Sequence, residues 1–395
     1  MIIEVILGVL TGIVLGLIPS LHINFVSYLF ISFSIFLIFP NHLFFFLSLS
    51  ISQLITNYIP QTFFSVPNTE NIMSLFPLHR LFLKQQAYDG IFLCFLGSFF
   101  GSLFSILLFP LLFLFFTFFI GFNFLISFAI IFTILSFIFS QKTLKEKLII
   151  FLIIFSSGIL GLFTLKYNYF VKEPLFICVM GLFTFPLLLK SIFEKNSKTI
   201  YQKTTLSILP SLENSSLYSF FGSLATLFVI LVPSFSSSLG AVIFSRFKEK
   251  ISTYNYLIIF SSISISALIF SYFLAMFFNK PRLGYFAILL SEKLVLFKTD
   301  LVLYISAIIL TVSLTILILL SLIKDIILFF NSQNLNRLNL IVLIVSFIFI
   351  IYLSDFKTLL VFFLSVLIGF LPLIFNKSRV YLMGYIMLPT LLFYL

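Results

Sequence analysis

Residues 301–323 read LVLYISAIILTVSLTILILLSLI, twenty-three positions without one Asp, Glu, Lys or Arg. A helix rises 1.5 Å per residue, so about 20 apolar residues cover the hydrocarbon core of a bilayer. Working outward, apolar runs recur near 5–18, 25–39, 43–57, 91–118, 122–140, 148–165 and 174–192. They resume near 217–232, 235–247, 256–278, 284–297, 338–353, 358–375 and 380–395. Across the chain 61% of residues are hydrophobic, 9% are charged and the mean hydropathy is +1.25. A soluble domain carries roughly a quarter charged residues. The short alternating segments of a membrane β-barrel are absent from this sequence. The expected fold is all-α, a polytopic membrane protein of roughly 10–14 membrane-embedded helices and half-helices. Its expected place is the cell membrane, crossed several times and surrounded by lipid.

The net charge of +11 is distributed as a topology signal, not as a nucleic-acid surface. Lys142, Lys145 and Lys147 form one short basic loop; Lys190, Lys195, Lys198 and Lys203 form a second; Arg246, Lys248 and Lys250 form a third. Two apolar segments separate the first cluster from the second, so both can face one side, which the positive-inside rule makes cytoplasmic. No nucleic-acid partner is expected. Apolar sequence starts at Ile2 without a basic leader region, so the first segment is expected to be a retained helix. The 60 phenylalanines, against no tryptophan, fit lipid-facing surfaces better than an aromatic cage. Cys94 and Cys178 both lie in apolar runs, where packing is expected of them rather than a disulfide or a metal.

The longest polar interruption, KSIFEKNSKTIYQKTTLSILPSLEN at 190–214, divides the chain into parts of similar size. The expected organisation is two related membrane halves, 1–189 and 217–395, joined by a polar basic linker at 190–216. Each half opens on an apolar run broken by proline and small polar groups: GLIPSLHIN at 16–24 and LVPSFSSSLG at 231–240. Each is followed by a second proline-marked interruption, YIPQTFFSVPNTENIMSLFPLHR at 58–80 and FFNKPRLGY at 277–285. In lipid every freed backbone N–H and C=O must be satisfied, so helix breaks persist only where protein or a watery cavity meets them. Broken segments at corresponding places in two halves point to a transporter site.

Proline disfavours helix at Ile18 but suits the first turn of a helix that restarts. The N–H groups of Ser20, Leu21 and His22 would then lie at a positive helix end, an anion site to which Ser20, His22 and Asn24 add side chains. The Pro233 break repeats the device with Ser234, Ser236, Ser237 and Ser238. The plain alternative is a pair of proline kinks satisfied by neighbouring helices. Pro67, Asn68 and Thr69, in the polar stretch that also holds Gln61, Thr62, Glu70 and Asn71, are the third group expected at the substrate. That stretch reads either as an external loop or as a cavity lining. His79, Arg80 and Lys84 read as a loop end on the positive side. His22 could carry a coupled proton or be a hydrogen-bonded structural histidine. Asp89 reads as a helix cap.

Gly8, Gly12 and Gly16 share one helix face, as do Gly97 and Gly101, and small-xxx-small faces let helices approach closely in lipid. No enzyme is expected. Three histidines, no clustered carboxylates in apolar runs, no metal-spaced Cys/His group and no nucleophile elbow leave catalysis and a metal without residues.

Several motifs carry a family likeness. GLIPSLHIN with its upstream glycines resembles the GxxPGxH-type opening of the tripartite tricarboxylate transporter permease family, the TctA-like membrane proteins. Residues 58–101 resemble that family's second block, a proline-rich polar loop with a P-x-T signature before a basic segment and a glycine-containing helix. LVPSFSSSLGAVIFSRF resembles the repeat of its PG motif, and residues 261–284 its polar helix ending in a basic turn. GFLPLIFNKSRVYLMGYIMLP is similar to the closing pattern, on Arg379, Met383, Gly384 and Pro389. Ser20 and Ser234 stand where the family usually has glycine, Asn68 where glycine is common, and Ser264 and Ser266 near its Asn/Thr pair. The likeness is to the shorter archaeal-type relatives. It implies a permease for small organic anions of the di- or tricarboxylate kind. Alternating access with Na+ or H+ as coupling ion is the expected mechanism, with no further cofactor. The family's small membrane subunit and extracytoplasmic binding protein are not part of this chain; working alone and working with such partners both stay open, as does an oligomer. The competing class is a polytopic membrane protein without transport: lipid-handling, scaffold or intramembrane enzyme.

Overall fold

The computed structural model describes residues 1–18, 42–64, 75–119, 123–166, 174–193, 200–207, 210–231, 240–241, 252–278, 301–333 and 335–395. Among them there is helix and no strand. In chain order the first helices are α1 (Ile2–Leu17), α2 (His42–Thr56), α3 (Tyr58–Phe64), α4 (Leu75–Leu83), α5 (Ala87–Leu107) and α6 (Phe109–Phe119). Next come α7 (Asn123–Phe139), α8 (Leu144–Gly161), α9 (Pro174–Val179) and α10 (Phe185–Phe193). The remainder are α11 (Leu212–Leu231), α12 (Thr253–Phe278), α13 (Leu301–Ser332), α14 (Leu335–Leu353), α15 (Phe356–Ile374) and α16 (Gly384–Tyr394). Among the described residues, seven helical stretches are long and apolar enough to cross a membrane. They begin at Leu43, Ala87, Leu144, Leu212, Thr253, Leu301 and Phe356.

Local sequence explains several boundaries. The apolar run at 91–118 is two helices, because α5 ends at Leu107 and α6 restarts at Phe109 with Pro110 in its first turn. The run at 174–192 holds a π-helical turn at Met180–Thr184 between α9 and α10, and α8 continues into another at Leu162–Lys166. The opening stretch LVLYISAIILTVSLTILILLSLI is the first part of α13, whose 32 residues span on the order of 48 Å at the helical rise. The polar interruption at 58–80 is helical where described: α3 and most of α4 lie inside it.

The chain forms two compact units. One comprises Met1–Phe115, Lys198–Ile230 and Ser236–Asn334; the other comprises Phe116–Ser197, Leu231–Phe235 and Leu335–Leu395. The units interleave along the chain, a division made by packing.

In the first unit the stretch Leu43–Phe63 is buried throughout. Glycine brings α1 onto it. A Cβ on Gly8 would lie 2.5 Å from the Phe45 carbonyl, and one on Gly16 would lie 2.6 Å from Thr56 Cβ. At Gly12 it would overlap Ser52 Oγ. The glycine face read from the sequence is therefore a packing face. Beside this contact, Ser48 of α2 and Thr311 of α13 share a hydroxyl hydrogen bond of 2.9 Å. The second close pair is α5 and α12, where a Cβ on Gly97 would stand 2.5 Å from the Ile258 carbonyl and one on Gly101 would stand 2.8 Å from Ser262 Cα.

The second unit uses the same device. A Cβ on Gly161 would overlap the Tyr385 carbonyl, so α8 meets α16 backbone to backbone; one on Gly181 would overlap Ser365 Oγ, and one on Gly369 would overlap the Leu182 carbonyl. Ile177, Met180, Phe185, Ile350 and Phe362 form a buried core there. Large exposed apolar side chains, such as Phe128 and Phe132 stacked along α7, mark faces suited to lipid.

Candidate functional site

All of the residues expected at a substrate lie outside the described residues: Pro19, Ser20, His22 and Asn24; Pro67, Asn68 and Thr69; Pro233, Ser234, Ser236, Ser237 and Ser238. The helices leading into them are described. α1 ends at Leu17, and Ile18 adopts extended backbone with φ −83° and ψ 114°, as a residue before proline should. α3 ends at Phe64, three residues before Pro67, and α11 ends at Leu231, two before Pro233. α1 and α3 pack on one another within the first unit, so the chain enters the Pro19 and Pro67 segments from neighbouring helices.

One group of buried polar side chains in that unit lies on α2 and α3. Ser48, Ser52 and Thr56 form one row four residues apart; Gln53, Asn57 and Gln61 form another. All six are buried. The hydroxyl row is satisfied locally: Ser52 donates to the Ser48 carbonyl at 2.6 Å, and Thr56 donates to the Ser52 carbonyl at 2.7 Å. Helical bonding crosses the α2–α3 junction, with the Asn57 N–H donating to Gln53 O at 3.0 Å and the Gln61 N–H donating to Asn57 O at 3.2 Å. Pro60 has no N–H for the Thr56 carbonyl, which explains the turn between the two helices. The reading of residues 43–57 as a plain apolar run missed this arrangement. The signal was available in the four-residue spacing of the polar positions.

A second polar cluster joins α5, α11 and α12. Ser105 donates to Ser266 at 2.8 Å, Ser266 to Ser223 at 2.9 Å, and Ser223 and Ser262 share a bond of 3.1 Å. Ser262 also donates to the Ser219 carbonyl at 2.6 Å. Ser266 thus belongs to a three-helix junction, while Ser264 bonds back to the Phe260 carbonyl of its own helix at 3.0 Å.

Two expectations outside the breaks change. Asp89 does not cap α5, whose N-cap is Gln86; its carboxylate instead accepts the Ser207 N–H at 2.8 Å and the Ser207 hydroxyl. Gln202 is fully buried in the same strap. Its Nε2 donates to the Phe82 carbonyl at 3.0 Å and its Oε1 accepts the Ala87 N–H at 3.2 Å. Its backbone exchanges two bonds with the Asn331 side chain. Residues 200–207 are therefore docked structure within a stretch that reads as linker. Arg80 is exposed and His79 stacks on Phe82, so neither lines the buried rows. Cys94 and Cys178 are buried free thiols, and no group of three potential metal ligands occurs among the described residues.

The model of the tripartite tricarboxylate transporter TctA family matches residues 2–384. The chain belongs to that family. It is also 30% identical over 340 residues to an uncharacterized protein of Methanocaldococcus jannaschii, covering 83% of this chain and 81% of the relative. No solved structure matches the chain. With family and helices together, this is a multi-pass membrane protein of a transporter family. The closing TctA-like pattern falls on described residues: Arg379 and Met383 bound a 3-10 turn, and Gly384 opens α16 close against the Ile154 carbonyl.

Proposed function

We propose that this protein is a secondary permease for small organic anions of the di- or tricarboxylate class, resident in the cell membrane. Family membership along residues 2–384 carries the reading. The buried polar rows of α2 and α3, which lead into the Pro67 segment, support it. In this reading the Pro19 and Pro233 segments open two related halves, 1–189 and 217–395. Their restarted helices hold a carboxylate on Ser20, His22, Asn24, Ser234 and Ser236–Ser238, with Pro67–Thr69 beside them. Alternating access is driven by a Na+ or H+ gradient, the cation meeting freed carbonyls or His22. A small membrane subunit and a binding protein are partners to be sought, since the family name is tripartite.

The test is uptake of labelled succinate and citrate into proteoliposomes under an imposed Na+ or pH gradient. Wild-type protein should accumulate at least one of them, and a Pro19→Ala/Pro233→Ala protein of equal thermal stability should lose most of that uptake. Failure of the wild type to move any organic anion under either gradient would favour a membrane protein without transport.

A further inference from the structure

Gln61 is the described side chain at which burial and bonding disagree most. It is 1% exposed, and neither Nε2 nor Oε1 has a hydrogen-bond partner. A primary amide carries two N–H donors and an acceptor oxygen with two lone pairs. Left buried and unused, these groups cost their full desolvation free energy, whereas a leucine of similar size costs none. The residue is not displaced from its helix, because its own N–H makes the ordinary bond to Asn57 O at 3.2 Å. It also ends the row of carboxamides Gln53, Asn57 and Gln61, three residues before the helix stops ahead of Pro67.

The chemistry of the missing partner follows from meeting both ends of the amide. A carboxylate satisfies Nε2 but sets a negative oxygen against Oε1; a metal cation satisfies Oε1 and repels the N–H groups. A protonated carboxyl group offers a carbonyl acceptor and an O–H donor side by side, and matches both. The charged surroundings agree. α3 carries no charged side chain. Among the described helices packed against it, Glu4 is bonded to the terminal ammonium and Asp89 to Ser207. His79 stacks on Phe82, while Arg80, Lys324 and Asp325 are exposed. None of these described groups gives an ionised carboxylate at Gln61 the fixed countercharge that burial demands.

We propose that Gln61 holds one carboxyl group of the transported acid in its neutral form, with Nε2 donating to the carboxyl carbonyl and the carboxyl O–H donating to Oε1. The inference rests on the organic-anion reading above and adds to it a residue and a protonation state: at least one substrate carboxyl crosses with its proton.

The experiment compares full-length wild type with Gln61→Leu and Gln61→Glu in nanodiscs and proteoliposomes, using labelled succinate and citrate and the half-amide of succinic acid. Wild-type apparent affinity for the acids should strengthen about tenfold per unit fall in pH above the carboxyl pKa, since only the protonated form is taken. Gln61→Leu should weaken binding tenfold or more, yet melt at the same or a higher temperature without ligand, because its empty site no longer strands an amide. Gln61→Glu tests the same pairing and should bind the acid only where its own carboxyl is protonated. Unchanged affinity in Gln61→Leu, or wild-type affinity independent of pH, overturns the assignment. So does a half-amide bound as tightly as succinate without pH dependence, which would mark a carboxamide site. If Gln61→Leu transports normally, the permease reading stands without Gln61; if wild type transports no acid, both fall.

Discussion

Gly97 and Gly101 set the distance at which α5 and α12 lie, because their missing side chains are what lets two backbones touch. Gly97→Ala would bring a methyl to 2.5 Å from the Ile258 carbonyl. Overpacking of this kind costs typically 1–3 kcal/mol. Ser266→Ala, in the hydroxyl junction beside it, should cost only about 0.6 kcal/mol, since interhelical hydrogen bonds within membranes are modest. The expected order of melting temperatures in detergent is therefore wild type, Ser266→Ala, then Gly97→Ala. Equal loss in the two variants would mean that hydroxyl bonding, not approach, holds the helices. At this scale the sequence was informative about spacing and silent about partners. The four-residue repeats of glycine were read correctly as packing faces. The amide row at Gln53, Asn57 and Gln61 has the same periodicity, and its importance emerges only from its burial.

At the scale of the element, the strap at residues 200–207 is held to the start of α5 by polar bonds rather than apolar contact. Asp89 is 2% exposed and receives both the N–H and the hydroxyl of Ser207. Hydrogen bonds to a charged group contribute roughly 1.5–3 kcal/mol. Asp89→Ala should destabilise by about that much and open residues 200–207 to limited proteolysis. Asp89→Asn, which keeps one acceptor, should lie between the two. Cleavage of the strap at an unchanged rate in Asp89→Ala would show that the bonds of Gln202, Lys203 and Gln86 hold it without the carboxylate. This docking was not legible beforehand, because a polar, lysine-bearing stretch matches the composition of a solvated linker. Its partners are 118 residues away at Asp89 and 129 away at Asn331. By contrast the stop of α1 was legible, since Pro19 acts on its immediate neighbour Ile18 whatever the tertiary context.

For the whole molecule, charge distribution makes a prediction independent of substrate. The basic loops holding Lys142 and Lys203 should both face the cytoplasm. Lys142→Cys and Lys203→Cys proteins, labelled in intact cells with a membrane-impermeant maleimide, should react only after permeabilisation. The native thiols at Cys94 and Cys178 are buried and should contribute little background. Labelling of one position from outside would require the two loops to lie on opposite sides.

Composition, run length and proline position were enough to establish an all-α membrane protein, the end of its first helix and its small-residue faces. Each of these rests on local physics: the cost of exposing backbone to lipid, the fixed geometry of a proline, the repeat of a helix. The placing of polar residues required the fold. Along the chain Ser52 lies in an apolar run and Gln61 in a polar stretch, yet the hydroxyl of Ser52 finds carbonyls at Ser48 and Gly8 while the amide of Gln61 finds none. That difference depends on which helices stand beside α2 and α3, and those neighbours come from distant parts of the sequence.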